Sequence, residues 1–395
     1  MEILFVTTRN IATTCGELRL IKNRAMAMRD QFGIDSIFVS YIDKKRVEAN
    51  YSGNVDKEFK VNYITYDKTK PYTFFKNLKQ FHNKVIETLR NNPNIKVVII
   101  SGVISQRLLK KIKSIDSNIK IILDIHGATE EGIEYKSNKN IIYSRTFYLY
   151  SNYIFRKQLE YCDALMVVSN ALKEHLIKKY PEIAGLKFFI IHCAGNIGEI
   201  NIQKYYKSRQ YWRKKLKIDE DECLFVYSGG ASKWQMVNES VHLFLEIKDR
   251  LPFNSKLLVM SHKIDDIKLE LQVNSRDIIF ESFNASNVPE VLCASDFAFM
   301  LRENKITNNV AFPNKFVEYL ISGNQIICTP YVFDVVELIN NDIGYIYSGD
   351  IDELERFVIK NVGKPRVWDS YNNVINKVSF NSTLKELYEY ISLQQ

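Results

Sequence analysis

Short runs of β-branched and other apolar residues alternate with longer stretches of helical periodicity along the whole chain. That alternation is the pattern of parallel α/β layers, in which a strand is covered on both faces and a helix on one. In the first half, Ile3–Val6, Ser36–Val39, Lys96–Ser101, Lys120–Asp124, Ala164–Val168 and Lys187–Ile191 read as buried strands. Helical stretches such as Leu18–Gln31, Phe74–Asn91 and Ser105–Lys113 lie between them. A second series runs through Cys223–Ser228, Ser255–Met260, Asp277–Phe280, Phe297–Leu301 and Gln325–Cys328. Each series predicts its own doubly wound sheet. The most polar break, Asn201–Glu222, places the boundary between residues 203 and 204, so the domains are 1–203 and 204–378. In the terminal segment 379–395, Leu384, Leu387, Tyr388 and Ile391 share one helical face, with Ser379 or Asn381–Ser382 as polar caps. This helix either closes the second domain or returns to the first.

Composition narrows the class. The 395 residues exceed one ordinary domain and suit two. Hydrophobic residues make up 46% and charged residues 25%, which excludes a disordered or fibrous chain. A net charge of +8 favours polyanionic ligands (nucleotides, nucleic acid, acidic lipid headgroups) without choosing among them. The six cysteines are scattered with no Cys-x-x-Cys pair, and Cys223 and Cys328 sit in apolar runs, as free thiols of a reducing compartment do. The apolar stretch Ile3–Thr7 is too short for a signal core, and no run reaches the roughly 18 residues of a spanning helix. The expectation is a cytoplasmic protein able to lie on a membrane surface.

Several catalytic signatures are missing from the sequence. The turn Thr7–Gly16 after the first strand holds one glycine, so the Gly-x-Gly-x-x-Gly fingerprint of dinucleotide binding is absent. No Gly-x-x-x-x-Gly-Lys-Ser/Thr phosphate loop, Gly-x-Ser-x-Gly elbow or His-Glu-x-x-His pair occurs. Two Asp-x-Asp triplets have the spacing to hold a metal-bound sugar nucleotide. Asp219-Glu220-Asp221 precedes a strand instead of following one, and Asp350-Ile351-Asp352 reads as a helix start capped by Asp350. Metal independence is the expectation.

The strongest local signal is Phe312–Gly323, followed by a buried strand and Thr329-Pro330. Pro313 suits the first helical position and Gly323 a left-handed stop, which predicts a helix of about two turns. Its surface is apolar except for a stripe of Lys315, Glu318 and Ser322. A helix amino end beside a lysine attracts a diphosphate, and a carboxylate one turn on can accept hydrogen bonds from a ribose diol. The same stripe also fits an exposed Lys–Glu pair on a packing helix. Two neighbours favour the ligand. Arg302 follows the strand Phe297–Leu301, and the strand Cys223–Ser228 opens into Gly229-Gly230-Ala231-Ser232-Lys233. A glycine turn and basic groups thus converge on the carboxyl ends of one sheet, where doubly wound proteins bind ligands.

The block Pro313-x-Lys315-Phe316-x-Glu318-Tyr319-Leu320-x-Ser322-Gly323 resembles the nucleotide-binding helix of family 4 glycosyltransferases of the GT-B fold. Gly16, Asp124-Ile125-His126-Gly127, Cys162–Ser169 and Tyr227-Ser228-Gly229-Gly230 fit the same pattern in order, so the likeness spans nearly the whole chain. It implies two Rossmann-like domains with the ligand cleft between them, the first binding acceptor and the second the nucleotide sugar. It implies a retaining hexosyltransferase that needs neither metal nor cofactor and takes a UDP-linked sugar as co-substrate. By that likeness Gly229, Gly230, Lys233, Arg302 and Lys315 would hold the donor diphosphate, and Glu318 the ribose hydroxyls. His126 would face the sugar or the attacking hydroxyl, and Gly16 would let the first loop approach the reacting centre closely. Many members carry a second glutamate upstream of Glu318; Val310 stands there instead, with Asn308 or Asn309 as substitutes at the donor sugar. A histidine after an apolar strand is also at home as a satisfied turn residue.

Ile141–Tyr161 is dense in aromatics, including Tyr143, Phe147, Tyr148, Tyr150, Tyr153 and Phe155, and Arg107, Lys110, Lys111 and Lys113 crowd another helix. Such a surface suits a glycan or lipid-linked acceptor at an anionic inner leaflet, as in bacterial surface-polysaccharide assembly. The stretch would equally serve as a core helix beside an ordinary solvated face. Dispersed basic residues without a stacking motif argue against nucleic acid. The alternatives are a non-catalytic relative that binds a partner transferase and a nucleotide-sugar epimerase of the same fold.

Overall fold

The computed structural model describes residues 2–11, 16–44, 58–67, 74–102, 104–135, 141–195, 197–271 and 275–393. The chain forms two compact units, one of Met1–Asn196 with Ser379–Gln395 and one of Ile197–Val378.

The first unit is built on β1 (Glu2–Asn10), β2 (Asp35–Asp43), β3 (Lys60–Tyr66), β4 (Ile95–Ser101), β5 (Lys120–Ile125), β6 (Ala164–Val167) and β7 (Lys187–Ile190). Among the described residues these make a seven-stranded sheet in the order β3-β2-β1-β4-β5-β6-β7, and each neighbouring pair is parallel. The central strands are buried along most of their length, which is why their sequences read as continuous apolar runs. β3 escapes that reading. It is an edge strand whose positions alternate between exposed and half-buried, so Lys60–Tyr66 has no apolar run to show.

The second unit is built on β8 (Cys223–Ser228), β9 (Ser255–Met260), β10 (Ile278–Glu281), β11 (Phe297–Met300), β12 (Gln325–Cys328) and β13 (Gly344–Ile346). Its six-stranded sheet has the order β10-β9-β8-β11-β12-β13, again parallel throughout. Phe225 lies at the centre of its core, stacked on Phe297 at 5.3 Å and on Phe299 at 5.5 Å between ring centroids. β13, three residues long and half-buried, is the strand that the apolar pattern misses. In each sheet the chain reverses its direction of travel once, between β1 and β4 in the first and between β8 and β11 in the second. Strand ends at such a switch point diverge and leave a crevice for ligands.

The division between the units falls at Asn196/Ile197, earlier than the 203/204 boundary read from polarity. The cause is the helix Ile202–Leu216, polar in composition yet anchored to the second unit by two arginines. Arg209 and Arg213 reach the buried Asp296 at the amino end of β11, at 2.6 and 3.5 Å. The terminal segment returns to the first unit. Phe380 donates its N–H to the Gly195 carbonyl at 3.1 Å, Tyr388 stacks on Phe32 at 4.1 Å, and Leu387 and Ile391 are buried.

Candidate functional site

In the second unit the predicted donor residues gather at the carboxyl ends of β8 and β11, the two strands that flank the switch point. The helix Asn314–Ile321 packs against β11 and β12, with Phe316, Val317, Tyr319 and Leu320 buried. Pro313 is its cap residue, one position before the first helical residue, and Gly323 takes φ +66° just after the end. Tyr319 fastens this helix to the sheet by accepting the Ser228 N–H at 3.0 Å and donating to the Phe299 carbonyl at 3.3 Å. Ser322 leaves the predicted polar stripe. It is fully buried and donates to the Pro289 carbonyl at 2.9 Å.

Lys315 turns onto the glycine turn. Its ammonium donates to Gln235 Oε1 at 2.6 Å and lies 4.4 Å from the centroid of the Tyr227 ring. It packs so closely on Gly229 that a Cβ there would push Nζ aside, and Gly229 has φ +152°, a backbone conformation that strains any side chain. Burial, followed by repulsion from Arg302, holds the Lys315 pKa well below the ordinary lysine range against the attraction of Glu318. No carboxylate among the described residues lies within ion-pair distance of Nζ; its contacts are an amide oxygen and an aromatic face.

Arg302 is buried and bridges the two strand ends. Its Nη1 donates to its neighbour Leu301 O at 2.7 Å and to Gln235 O at 3.4 Å, while Thr329 Oγ1 accepts its backbone N–H at 2.8 Å. Glu318 is half-buried one turn beyond Lys315. Gly230 donates its N–H to Gln235 Oε1 at 3.1 Å. Lys233 is exposed at the start of the short turn Lys233–Gln235, outside this contact network. Asn308 is buried and its amide donates to the Glu303 carbonyl at 2.9 Å, which closes the loop after β11. Asn309 sits half-buried beside Asn304, and Val310 is buried. Sequence reasoning passed over Gln235 and Tyr227. Only the fold of the glycine turn sets the Gln235 amide oxygen and the Tyr227 ring against Lys315, and the signal in the chain was Tyr227's place in the glycine-turn motif, which gave it no role of its own.

In the first unit, His126 follows β5 and is tied to the carboxylate of that strand. His126 Nε2 donates to Asp124 Oδ2 at 2.7 Å. Asp124 also accepts from Ser101 Oγ at 3.0 Å and forms a fully buried ion pair with Arg24 at 2.6 Å, Arg24 in turn donating to the Ile191 carbonyl at 2.6 Å. Burial works against both charges of the His126–Asp124 pair. The attraction of Asp124 nevertheless raises the His126 pKa, and Arg24 and His126 hold Asp124 well below the usual carboxylate range. The ring's other nitrogen, Nδ1, lies 3.7 Å from Glu17 Oε1, and Arg9 pairs with that glutamate at 2.6 Å. Gly16 opens the helix Gly16–Phe32 as its exposed first residue, so it stands at a helix start instead of within the loop before it. Arg24 had no signal beyond being a basic residue amid apolar helix positions.

Asp350 of the second Asp-x-Asp triplet caps the helix Ile351–Asn361, accepting from the Asp352 and Glu353 N–H groups at 2.9 and 3.0 Å. The aromatic segment forms the helix Ile141–Leu159, which exposes Ile142, Phe147, Leu149, Tyr150 and Tyr153. It is not the covered core helix of the competing reading. No described helix is long and apolar enough to cross a membrane.

Comparison with protein-family models and with curated proteins returns no match. Comparison with solved structures returns many. Sucrose-phosphate synthase from Thermosynechococcus elongatus matches with a TM-score of 0.71 at 12% identity over 100% of both chains. Anabaena HepE in complex with UDP matches at 0.66 and 14% identity, over 99% of this chain and 100% of that one. A glycosyltransferase from Rickettsia africae ESF-5 matches at 0.65 and 16% identity, over 100% of this chain and 98% of that one. At these identities the likeness establishes the fold: two Rossmann-like α/β sheets of the GT-B type.

Proposed function

We propose that this chain is a retaining, metal-independent glycosyltransferase of the family 4 kind that moves a sugar from a nucleotide diphosphate donor, UDP-linked, to a hydroxyl of a glycan or lipid-linked acceptor. The observation that carries the reading is the cationic strand-end site of the second unit. There Lys315, beside a side-chain-free turn at a topological switch point, faces an amide oxygen and an aromatic ring, with Arg302 close by. A diphosphate supplies Lys315 with a countercharge. Such donors stabilise the departing nucleotide diphosphate as negative charge develops on it, the task that drives glycosyl transfer. Glu318 then takes the ribose hydroxyls. His126, its Nε2 committed to Asp124 and its Nδ1 3.7 Å from Glu17, serves the acceptor or sugar side. A crystal structure of HepE with UDP-glucose supports the choice of a UDP-linked donor.

A thermal-shift series with UDP, GDP and ADP tests the donor site, since a ligand at a hundred times its Kd adds about 2.7 kcal/mol of stability. Stabilisation by UDP above the others is expected; no response to any nucleoside diphosphate removes the proposal. Slow hydrolysis of a UDP-sugar without acceptor then separates an enzyme from a partner-binding relative. That second reading draws support from Val310, buried where a second glutamate would stand, and from Asn308, whose amide is engaged by Glu303.

The acceptor proposal extends to an anionic membrane surface at the inner, cytoplasmic face. The helix Ile141–Leu159, with its exposed apolar side chains, packs against the helix Gln106–Ile115, which shows Arg107, Lys110 and Lys111 to solvent, and neither helix contains an acidic residue. Flotation with vesicles containing anionic lipid is expected to carry the protein at low salt and release it at high salt. Equal recovery with neutral vesicles would argue against it.

A further inference from the structure

Two donors of the proposed diphosphate site converge on one oxygen of the protein itself. Gln235 Oε1 accepts from Lys315 Nζ at 2.6 Å and from the Gly230 N–H at 3.1 Å, while the nearby Tyr227 hydroxyl donates to the Gly230 carbonyl at 2.8 Å. These are donor types a phosphate oxygen uses: an ammonium and the backbone N–H of a glycine. The main chain of Gln235 is held on both sides, its N–H by Ser232 O at 2.8 Å and its carbonyl by Arg302 Nη1 at 3.4 Å. Only the side chain is left to move. Gly229 and Gly230 have no side chains to take the same place, and a Cβ at Gly229 would strike both Lys315 and the Gln235 oxygen.

We infer that Gln235 is a latch on the donor site, its side-chain carbonyl competing with a phosphate oxygen of a nucleoside diphosphate for Lys315 and Gly230. The inference rests on the donor-site reading above and adds a residue that sets affinity. A neutral amide oxygen holds the lysine and the turn in place, yet an anion out-competes it because hydrogen bonds to an ionised acceptor are about twice as strong. A carboxylate at the same position would not yield. The latch therefore works only with a side chain of intermediate strength.

Titration calorimetry of the full chain with UDP, and separately with inorganic pyrophosphate, tests this through two variants of opposite sign. Gln235→Ala removes the competitor and is expected to tighten UDP about fivefold, by the net value of one hydrogen bond. Gln235→Glu places a fixed anion against Lys315 and is expected to weaken both ligands at least about tenfold. Melting curves confirm that each variant is folded. If the wild type binds UDP and Gln235→Ala binds it more weakly, the amide serves as a ligand to the phosphate and the latch is overturned while the donor site stands. Unchanged affinity in Gln235→Ala overturns it as well. A wild type that binds neither probe overturns the donor-site reading and the latch together.

Discussion

The carboxyl end of β5 and the carboxyl ends of β8 and β11 both gather charge, but they balance it differently. At β5 the account closes within the protein: Asp124 is met by Arg24, His126 and Ser101 at 2.6 to 3.0 Å. At β8 and β11 the ammonium of Lys315 touches an amide oxygen and an aromatic face. Burying a charge costs several kcal/mol unless a partner offsets it. The first cluster is thus a finished structural element that orients one histidine. In the proposed function Lys315 of the second gains its countercharge from the donor's diphosphate, and that difference sets a positioning device apart from a binding site.

The largest expected effect breaks the closed cluster. Arg24→Met leaves Asp124 buried without its guanidinium and is expected to cost about 3–5 kcal/mol of unfolding free energy in urea. The double variant Arg24→Met/Asp124→Leu should recover part of that loss; if it proves no more stable than the single one, the pair is not the source of the cost. Lys315→Met is the mirror experiment. UDP affinity should fall about thirtyfold, the worth of one charge-assisted hydrogen bond, while the unfolding midpoint holds or rises because a desolvated charge has gone. A stability loss comparable to that of Arg24→Met would erase the contrast.

The next effect is read from pH. The His126 pKa is raised in the folded state, so the stabilisation from its charged form is fully present below the ordinary histidine value and is lost as pH rises through the folded-state value. Unfolding free energy should therefore decline with pH above about 6.5, and His126→Gln should flatten that slope. A slope that survives the substitution assigns it elsewhere. The smallest effect sharpens the second cluster. Lys233 is exposed, so Lys233→Met should change UDP affinity within about twofold. A tenfold loss would bring Lys233 into the phosphate contacts and enlarge the site.

Much of the sheet was legible because burial on both faces writes itself as apolar runs: Cys223–Ser228, Ser255–Met260 and Gln325–Cys328 coincide with β8, β9 and β12. β3 and β13 were not, since edge strands bury one face and need no such run. The polar segment around Asn201 misled the boundary for a related reason. Composition records that the helix Ile202–Leu216 is basic, but not that two of its arginines point at Asp296. Of the candidate site, the helix after Pro313, its lysine and the glycine turn were marked by local chemistry. Gln235, Tyr227 and Arg24 were not, because their partners are 80, 88 and 100 positions away along the chain.

The sequence by itself determined the alternation of buried strands and amphipathic helices, the glycine turn after Ser228, and the short helix bounded by Pro313 and Gly323. Each depends on neighbours within a few residues, through hydrophobic periodicity or backbone freedom. Only the tertiary structure decided which charges are satisfied. Electrostatic pairing acts through space between strand ends far apart in the chain, so whether Asp124 or Lys315 finds a countercharge is a property of the folded sheet.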